Sequence, residues 1–383
     1  MRLRLLLASF AVVPLAVSGP ARADITLGAV LSLTGPGAGL GIPERKTIAL
    51  LPTTIAGQAV HWVVLDDGSD TTKAVQAAQK LISEDHVDAI VGPSTTPSSI
   101  AVLDTVGAAG VPTLSLAGSG AVVEPPTGNR RWAFKLIPSE QVATVQIVDR
   151  MVREKQKTLA MIGFANALGD GYIKALDQQA EAHDIKTLVD VRYNPGDTSV
   201  TPQVLRVIAA KPDAVFVAAS SAPATTPIIE LRARGYTGPI YTVQGIAGPD
   251  ALRVGGHALD GVMFSAVPVL VAEQMPDSDP VKKPALTYIH AYEGKYGAGS
   301  RSLFGATLWD SVLLLEAAAP GALKAAAPGT PAFRTALRDA MEHVHGLAAS
   351  EAVFSLTPSD HSGAQADSQV MVEIQGGAYA VLP

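Results

Sequence analysis

Residues 61–91 read HWVVLDDGSDTTKAVQAAQKLISEDHVDAIV, and the pattern in this stretch recurs along the chain. Residues 61–65 form an apolar, valine-rich run of the kind found in buried strands, and residues 87–91 form a second such run. Between them, residues 72–83 space their apolar side chains along helix faces. The stretch therefore predicts a strand, a helix and a second strand, the unit from which parallel sheets are built.

The same alternation extends outward in both directions. Further strands are predicted at 25–33, 111–116, 158–163, 185–193, 214–218 and 240–243, and further helices at 98–109, 171–183, 200–210 and 224–234. A glycine-rich loop is predicted at 34–41, a long apolar core helix at 302–319, a surface connection at 317–331 and a terminal hairpin at 370–382. Nearly continuous apolar strands that alternate with helices predict an α/β fold with parallel sheets covered on both faces.

The first 23 residues have the composition of a secretory signal peptide. A basic start, Met1 to Arg4, precedes a short apolar run that Pro14 interrupts, and an A-x-A site ends at Ala23. Cleavage after Ala23 would deliver the chain to the periplasm; an uncleaved N-terminal anchor is the alternative. Lipoprotein anchoring is not expected because the sequence contains no cysteine.

Composition excludes several classes of protein. Loss of residues 1–23 removes three arginines and no acid, which lowers the formal charge from −6 to −9. A negative chain lacks the basic surface that nucleic-acid binding requires, so no such partner is expected. Without cysteine the fold must rely on hydrophobic cores, which the 48% hydrophobic residues can supply, and the length allows two domains.

Motifs for catalysis and for cofactors are also missing. Residues 35–41, GPGAGLG, follow a strand but carry Leu40 where the third glycine of a dinucleotide-binding loop would lie. No phosphate-binding loop and no G-x-S-x-G motif occurs. Residues 66–70, DDGSD, lack the glutamate of a calcium loop and predict a solvated turn. We therefore expect no enzyme, no cofactor and no metal site.

Two loops that follow neighbouring strands are better candidates for a binding site. After the strand that ends at Val91, Thr96 is predicted to cap a helix that begins with Pro97, and a helix N-terminus attracts anions. The hydroxyls of Ser94 and Thr95 add neutral donors. After the next strand, residues 117–120, AGSG, offer another hydroxyl and exposed backbone. Since open α/β sheets bind ligands at their carboxyl edges, the two loops together predict a carboxylate site, with ordinary helix capping as the alternative.

The order of several motifs resembles the periplasmic binding proteins of branched-chain amino acid ABC transporters, over essentially all of the chain after residue 23. The motifs that carry the resemblance are ITLG at 25–28, SLTGP at 32–36, DD at 66–67, VGP at 91–93, FKLIP at 134–138 and LRARGY at 231–236.

The resemblance implies a type I fold of two Rossmann-like lobes that close like a hinge over ligand. It implies an N-terminal lobe of residues 24–138 plus 267–355 and a C-terminal lobe of 139–266 plus 356–383. The three crossovers then fall near Pro138, Ala266 and Leu356. In that family the loops after the fourth and fifth strands hold the ligand carboxylate, and their matching positions here are Thr96, Ala117 and Ser119.

Departures from the family pattern suggest the class of ligand. Amino-acid-binding members hold the α-ammonium with an acidic residue, and the matching position here is Gln244. An amide cannot pair with an ammonium as a carboxylate does, and a buried unpaired charge is costly.

Positions that are often aromatic in the family fall on Leu168, on Ser220 or Ser221, and on Leu40. The pocket is therefore expected to be neutral and apolar, and an aromatic or aliphatic organic acid is favoured over an amino acid. Asp170 keeps the second interpretation open, because it would supply the missing acid if it pointed into the cleft.

The sequence thus predicts a monomeric, non-enzymatic solute-binding protein that captures a small carboxylate for the permease and ATPase subunits of an ABC importer. Three alternatives stay open. The chain could bind branched-chain or other hydrophobic amino acids, it could be the ligand-sensing partner of a signalling receptor, or it could be an exported enzyme whose site is assembled from distant residues.

Overall fold

A computed structural model describes residues 24–365 and 368–382. The predicted signal peptide lies outside the described residues. Fifteen strands occur in the described ranges: β1 Ile25–Leu31, β2 Thr54–Ile55, β3 Gln58–Asp66, β4 Ala89–Val91, β5 Thr113–Ser115, β6 Ala133–Lys135, β7 Thr158–Phe164, β8 Lys186–Tyr193, β9 Ala214–Ala218, β10 Ile240–Thr242, β11 Val262–Ala266, β12 Leu347–Ala348, β13 Val353–Phe354, β14 Val370–Gln375 and β15 Ala378–Val381.

Eleven α-helices accompany these strands in the same ranges: α1 Ala38–Ile48, α2 Thr71–Ser83, α3 Thr96–Ala109, α4 Glu140–Arg153, α5 Ala167–Glu181, α6 Thr201–Ala209, α7 Thr225–Ala233, α8 Pro249–Gly255, α9 Lys282–Tyr296, α10 Leu303–Ala325 and α11 Pro331–Met341.

Two large sheets organise the chain. The first sheet has the strand order β2-β3-β1-β4-β5-β6, and the second has the order β15-β14-β11-β10-β9-β7-β8. The pairs within β3-β1-β4-β5-β6 and within β11-β10-β9-β7-β8 are parallel, while β2, β14 and β15 add antiparallel pairs at the edges. The predicted α/β class is confirmed, and the sheets are mixed because edge hairpins extend them.

Both sheets are covered on both faces, as their continuous apolar strands predict. In the first sheet, Leu31 packs toward α10 and α11, while its neighbour Val30 packs toward α2 and α3. In the second sheet, Ile162 belongs to the core with α6 and α7, and Met161 belongs to the core with α4 and α5. Alternate side chains of a strand point to opposite faces, so each sheet supports two cores.

The chain passes between the sheets three times. It leaves the first sheet after β6, leaves the second after β11 to form α9, α10 and α11, and rejoins the second sheet at β14. Of the helices in the described part of the chain, α10 alone is long and apolar enough to span a membrane, but most of it is buried in the protein. Its residues Leu308 to Ala322 pack on the first sheet, so it is the core helix that the sequence predicts.

Two local predictions are wrong. The segment 34–41 is not wholly a loop, because α1 begins at Ala38 and contains Leu40 and Gly41. The segment 317–331 is not mainly a surface connection, because α10 continues through Pro320 to Ala325. Ala318, Ala319 and Ala322 are buried there, and that burial extends the helix beyond the predicted end.

Gly41 permits α1 to lie against the end of β1. A Cβ atom at this position would lie 2.2 Å from the carbonyl oxygen of Ser32, so a side chain cannot be accommodated without movement of the backbone. We predict that Gly41→Ala lowers the free energy of unfolding by about 1–3 kcal/mol, the usual cost of overpacking.

The matched control is Gly294→Ala in α9, where a Cβ atom would meet nothing within 4 Å. That substitution should stabilise the protein by about 0.5–1 kcal/mol, because alanine is the better helix former. Urea unfolding of both variants measures the two effects. Equal effects of the same sign would contradict the close packing of α1 on β1.

Candidate functional site

A cavity of about 290 Å³ lies where the carboxyl ends of the two sheets face each other. The first sheet and its helices contribute Pro36, Gly37, Leu40, Ser69, Ser94, Thr95, Thr96, Pro97, Leu116, Gly118, Ile137 and Phe304. The second sheet and its helices contribute Phe164, Asn166, Leu168, Tyr172, Pro195, Gly196, Ser220, Val243, Gln244 and Gly245. Most of these residues lie at or just after the ends of parallel strands, the edge at which open α/β sheets bind ligands.

No acidic or basic residue lines this cavity within the described ranges. Three aromatic residues, Phe164, Tyr172 and Phe304, share the wall with aliphatic side chains. Burial raises the pKa of the Tyr172 hydroxyl far above its usual value, so this group is neutral at physiological pH. The cavity therefore suits a ligand with an apolar body, and it must recognise polar groups with neutral donors and acceptors.

The start of α3 forms the polar end of the wall on the first-sheet side. Thr95, and not Thr96 as predicted, is the N-cap, and its hydroxyl accepts a hydrogen bond from the Ser98 N–H at 3.4 Å. Thr96 occupies the first helical position, where the backbone N–H has no acceptor within the helix. The Thr96 hydroxyl is buried, at 3% exposure, and has no hydrogen-bond partner among the described residues. An unpaired donor at a helix N-terminus is an attractive position for an anion.

Ser94 is already hydrogen-bonded to the protein. Its Oγ accepts a hydrogen bond from the Ser32 N–H at 3.0 Å and lies 2.5 Å from Oε2 of the buried Glu44 in α1. The Ser32 hydroxyl donates to Oδ1 of Asp67 at 2.7 Å. Asp67 is fully buried, which corrects the prediction that residues 66–70 are simply a solvated turn. A pair of buried acids thus lies behind a neutral wall.

Gln244 forms the polar centre of the wall on the second-sheet side. Its Oε1 accepts hydrogen bonds from the Val267 N–H at 3.2 Å and from Nε2 of Gln369 at 3.3 Å. The Ser265 hydroxyl donates to Oε1 of Gln369 at 3.0 Å. Since a backbone N–H can only donate, the Val267 N–H fixes the orientation of the Gln244 amide. Nε2 of Gln244 is then a buried donor with no partner among the described residues.

Seven of the ten predicted ligand-binding residues line the cavity: Leu40, Ser94, Thr95, Thr96, Leu168, Ser220 and Gln244. Whether they bind a ligand stays a prediction. Asp170, which could have supplied an acid, is not among the lining residues. Its side chain is 63% exposed, and its Oδ1 accepts a hydrogen bond from Nε of Arg192 at 2.9 Å.

Ala117, Ser119 and Ser221 are not in the cavity wall, because other contacts hold them. The Ala117 N–H donates to Oγ of Ser115 at 3.2 Å. The Ser119 hydroxyl donates to Oε1 of Glu140 at 2.9 Å. The Ser221 N–H donates to the Gly245 carbonyl at 2.7 Å. The Ser221 hydroxyl lies beside Gly39 of α1, so close that a Cβ atom on Gly39 would be 2.4 Å from it.

Sequence reasoning missed the aromatic residues, Asn166 and Glu44. Asn166 caps α5, with its Oδ1 accepting hydrogen bonds from the N–H groups of Leu168 and Gly169. Phe164 ends β7, so the rule that placed Ser94 at a strand end could have identified Phe164 and Asn166 as well. Phe304 carries no comparable signal, because α10 does not directly follow a cavity-facing strand end. Glu44 lies in α1, which does follow β1, but it comes after the first turn of this helix and is not in the cavity wall.

The assignment of the α3 cap to Thr95 instead of Thr96 can be tested by measuring the free energy of unfolding of two variants. We predict that Thr95→Val lowers the free energy of unfolding by about 1 kcal/mol, because the α3 cap is lost. Thr96→Val should leave stability unchanged or slightly raised, because a buried hydroxyl without a partner is removed. Urea titration of the two ligand-free variants measures both values, and a larger loss in Thr96→Val would contradict the assignment of the cap to Thr95.

Comparisons with known proteins agree with this geometry. Residues 24–378 match the family model described as periplasmic binding protein. An extracellular ligand-binding receptor from Rhodopseudomonas palustris HaA2 has 39% sequence identity and a TM-score of 0.91, over 94% of this chain and all of that chain. A second receptor from the same organism has 37% identity and a TM-score of 0.91, over 94% and 100% of the two chains.

More distant relatives carry more specific names. The Leu/Ile/Val-binding protein BraC3 of Rhizobium johnstonii is 25% identical over 275 residues, which cover 68% of this chain and 71% of the relative. LivJ of Streptococcus pneumoniae, solved in complex with isoleucine, shares the fold with a TM-score of 0.78 and 20% identity, over 94% and 99% of the two chains. The chain belongs to the family of periplasmic binding proteins.

Proposed function

We propose that this chain captures a small organic acid, aromatic or aliphatic, between two lobes and delivers it to an ABC importer. Membership of the family implies a location outside the cytoplasm and a small ligand. We also propose that residues 1–23 are a signal peptide that directs the protein to the periplasm, and that the protein is a monomer. Its partners in transport would be the permease and ATPase subunits of the importer.

The proposal rests on Nε2 of Gln244, the unpaired hydrogen-bond donor on the second-sheet side of the cavity. An α-ammonium needs acceptors around it, and a carboxylate is the strongest of these. Nε2 of Gln244 is a donor, the amide oxygen is already paired, and Asp170 is directed to Arg192 at the surface. A ligand acceptor such as a carbonyl, ether or hydroxyl oxygen would pair with this Nε2, whereas an ammonium would face it without compensation.

The opposite wall supports binding of a carboxylate. The Thr96 hydroxyl and the N-terminus of α3 offer donors and the positive end of the helix dipole, without a basic side chain. The apolar residues between the two polar ends would bury the body of the ligand. These features favour a carboxylate joined by an apolar body to a second acceptor.

We propose two lobes, each built around one sheet. One lobe comprises residues 24–138 plus 267–355, and the other comprises residues 139–266 plus 356–383. Strands β1 to β6 lie in the first range and β7 to β11 in the second, while β14 and β15 return to the second sheet. The three passages between the sheets would serve as the hinge.

Binding of a hydrophobic amino acid is the second candidate function. It is favoured by the relatives that are named Leu/Ile/Val-binding proteins and by the solved complex of LivJ with isoleucine. Identity to these proteins is 25% or lower, which leaves room for a different ligand. The residue at position 244 separates the two candidates, because the two ligands differ in the group that would face it.

A substitution at position 244 that reverses the ligand preference would test the proposal. We predict that the wild-type chain binds 4-methylpentanoate or 4-methoxybenzoate more tightly than leucine. Gln244→Glu should reverse the order, with leucine gaining and the acids losing roughly tenfold or more, because like charges repel and opposite charges attract across a desolvated site. One glutamate oxygen would keep the hydrogen bonds from Val267 and Gln369, and the other would face the cavity. Titration calorimetry measures the three affinities in both proteins.

Gln178→Glu is the matched control, since it adds the same charge at an exposed position of α5 outside the cavity wall. It should leave the order of affinities as in the wild type. Tight binding of leucine by the wild-type chain, with no binding of either acid, would contradict the proposal and favour the amino-acid candidate.

A further inference from the structure

Glu44 is a buried acid that contacts the cavity wall from behind. It lies in α1 and has no exposed surface, and its Oε2 is 2.5 Å from Oγ of the cavity-lining Ser94. Its second oxygen, Oε1, has no hydrogen-bond partner among the described residues. A charged acid in this position would lie just behind the wall that is proposed to receive a carboxylate.

The hydrogen atoms around Ser94 can be counted. Its Oγ accepts a hydrogen bond from the Ser32 N–H, which leaves one lone pair and one hydroxyl proton. If Glu44 is ionised, the Ser94 proton must go to Glu44, and the hydroxyl can present only a lone pair to the cavity. If Glu44 is protonated, it donates to Ser94, and the Ser94 proton is free to donate to a ligand. The proton on Glu44 thus decides whether this part of the wall repels or receives a carboxylate.

The surroundings of Glu44 favour the protonated form. Burial raises the pKa of Glu44 to about 8, the hydrogen bond with Ser94 lowers it in part, and the negative charge of Asp67 raises it. Asp67 follows β3, and its Oδ1 accepts hydrogen bonds from the Ser32 hydroxyl and the Ser69 N–H. Arg45 and Lys46, the basic neighbours of Glu44 in α1, are exposed, and the described groups that shift the pKa of Glu44 include no basic side chain.

We propose that Glu44 holds a proton that makes Ser94 a hydrogen-bond donor in the carboxylate site, and that loss of this proton weakens the binding of anions. The inference rests on the proposed function, since it assigns a role toward the carboxylate end of the same ligand. Glu44 is a positioning residue that acts through Ser94 and does not contact the ligand itself.

The sign of the pH dependence follows from the raised pKa. Below about pH 8 Glu44 is protonated and the site accepts a carboxylate; above it, binding requires uptake of a proton, so affinity falls as the pH rises. The ligand acid is itself ionised throughout this range. A bound carboxylate adds negative charge close to Glu44, which should hold the proton more firmly in the complex.

The experiment measures the affinity for 4-methoxybenzoate, or for 4-methylpentanoate if only the aliphatic acid binds, from pH 6.5 to 9.5. Wild-type affinity should be nearly level up to about pH 7.5 and should fall by about tenfold between pH 8.5 and 9.5. Glu44→Gln, whose amide can donate to Ser94 at every pH in this range, should remove this fall. Glu84→Gln, an exposed acid at the end of α2, should keep the wild-type profile. The uncharged primary amide of the same acid should show no fall in either protein.

A second measurement does not need a ligand. The infrared difference between the wild type and Glu44→Gln at pH 7 should contain the carbonyl band of a protonated carboxylic acid, and this band should be lost above about pH 8. Absence of the band at pH 7, or an equal fall in affinity in Glu44→Gln, would overturn the inference. A wild-type chain that binds neither acid would contradict the proposed function, and the infrared band would then decide by itself whether Glu44 carries the proton.

Discussion

Parallel strands that are joined by helices end at the same edge of their sheet, and the candidate site depends on this constraint. The loops after β1, β3, β4, β5 and β6 meet at the edge of the first sheet, and those after β7, β8, β9 and β10 meet at the edge of the second. Because the chain passes three times between the sheets, the two edges face each other across one cavity. Ser94, Thr96 and Gln244 owe their positions to this arrangement.

The chemical character of the cavity comes from hydrogen bonds made behind its wall. The Val267 N–H, in the second passage between the sheets, fixes the Gln244 amide so that Nε2 is left as a donor without a partner among the described residues. Glu44 and Asp67 lie behind the first-sheet wall, where Ser94 and Ser32 separate them from the ligand space. We propose that a wall without charged side chains discriminates between charged ligands in this way, because the direction of each buried hydrogen bond determines which ligand groups the wall can receive.

Much of the fold could be predicted from the sequence, because continuous apolar strands and spaced helices follow from local composition. The resemblance to the family placed Ser220 and Gln244 at the cavity, and the strand-end rule placed Ser94, Thr95 and Thr96 there. It failed for Ser119, whose hydroxyl is held by Glu140, the first residue of α4, a helix that packs on the second sheet. It could not identify Phe304 or Glu44 either, since their approach to the cavity depends on how α10 and α1 pack. Contacts between distant segments leave no local pattern in a sequence.

We propose that the site presents hydrogen-bond donors at both ends, and its described wall contains no acidic side chain that could hold an ammonium. A crystal structure of the chain with the ligand that it carries from its native host would test this claim most directly. We expect a carboxylate within hydrogen-bonding distance of Oγ1 of Thr96 and an oxygen acceptor within hydrogen-bonding distance of Nε2 of Gln244. An amino acid in the cavity, with its ammonium held beside Gln244, would contradict it.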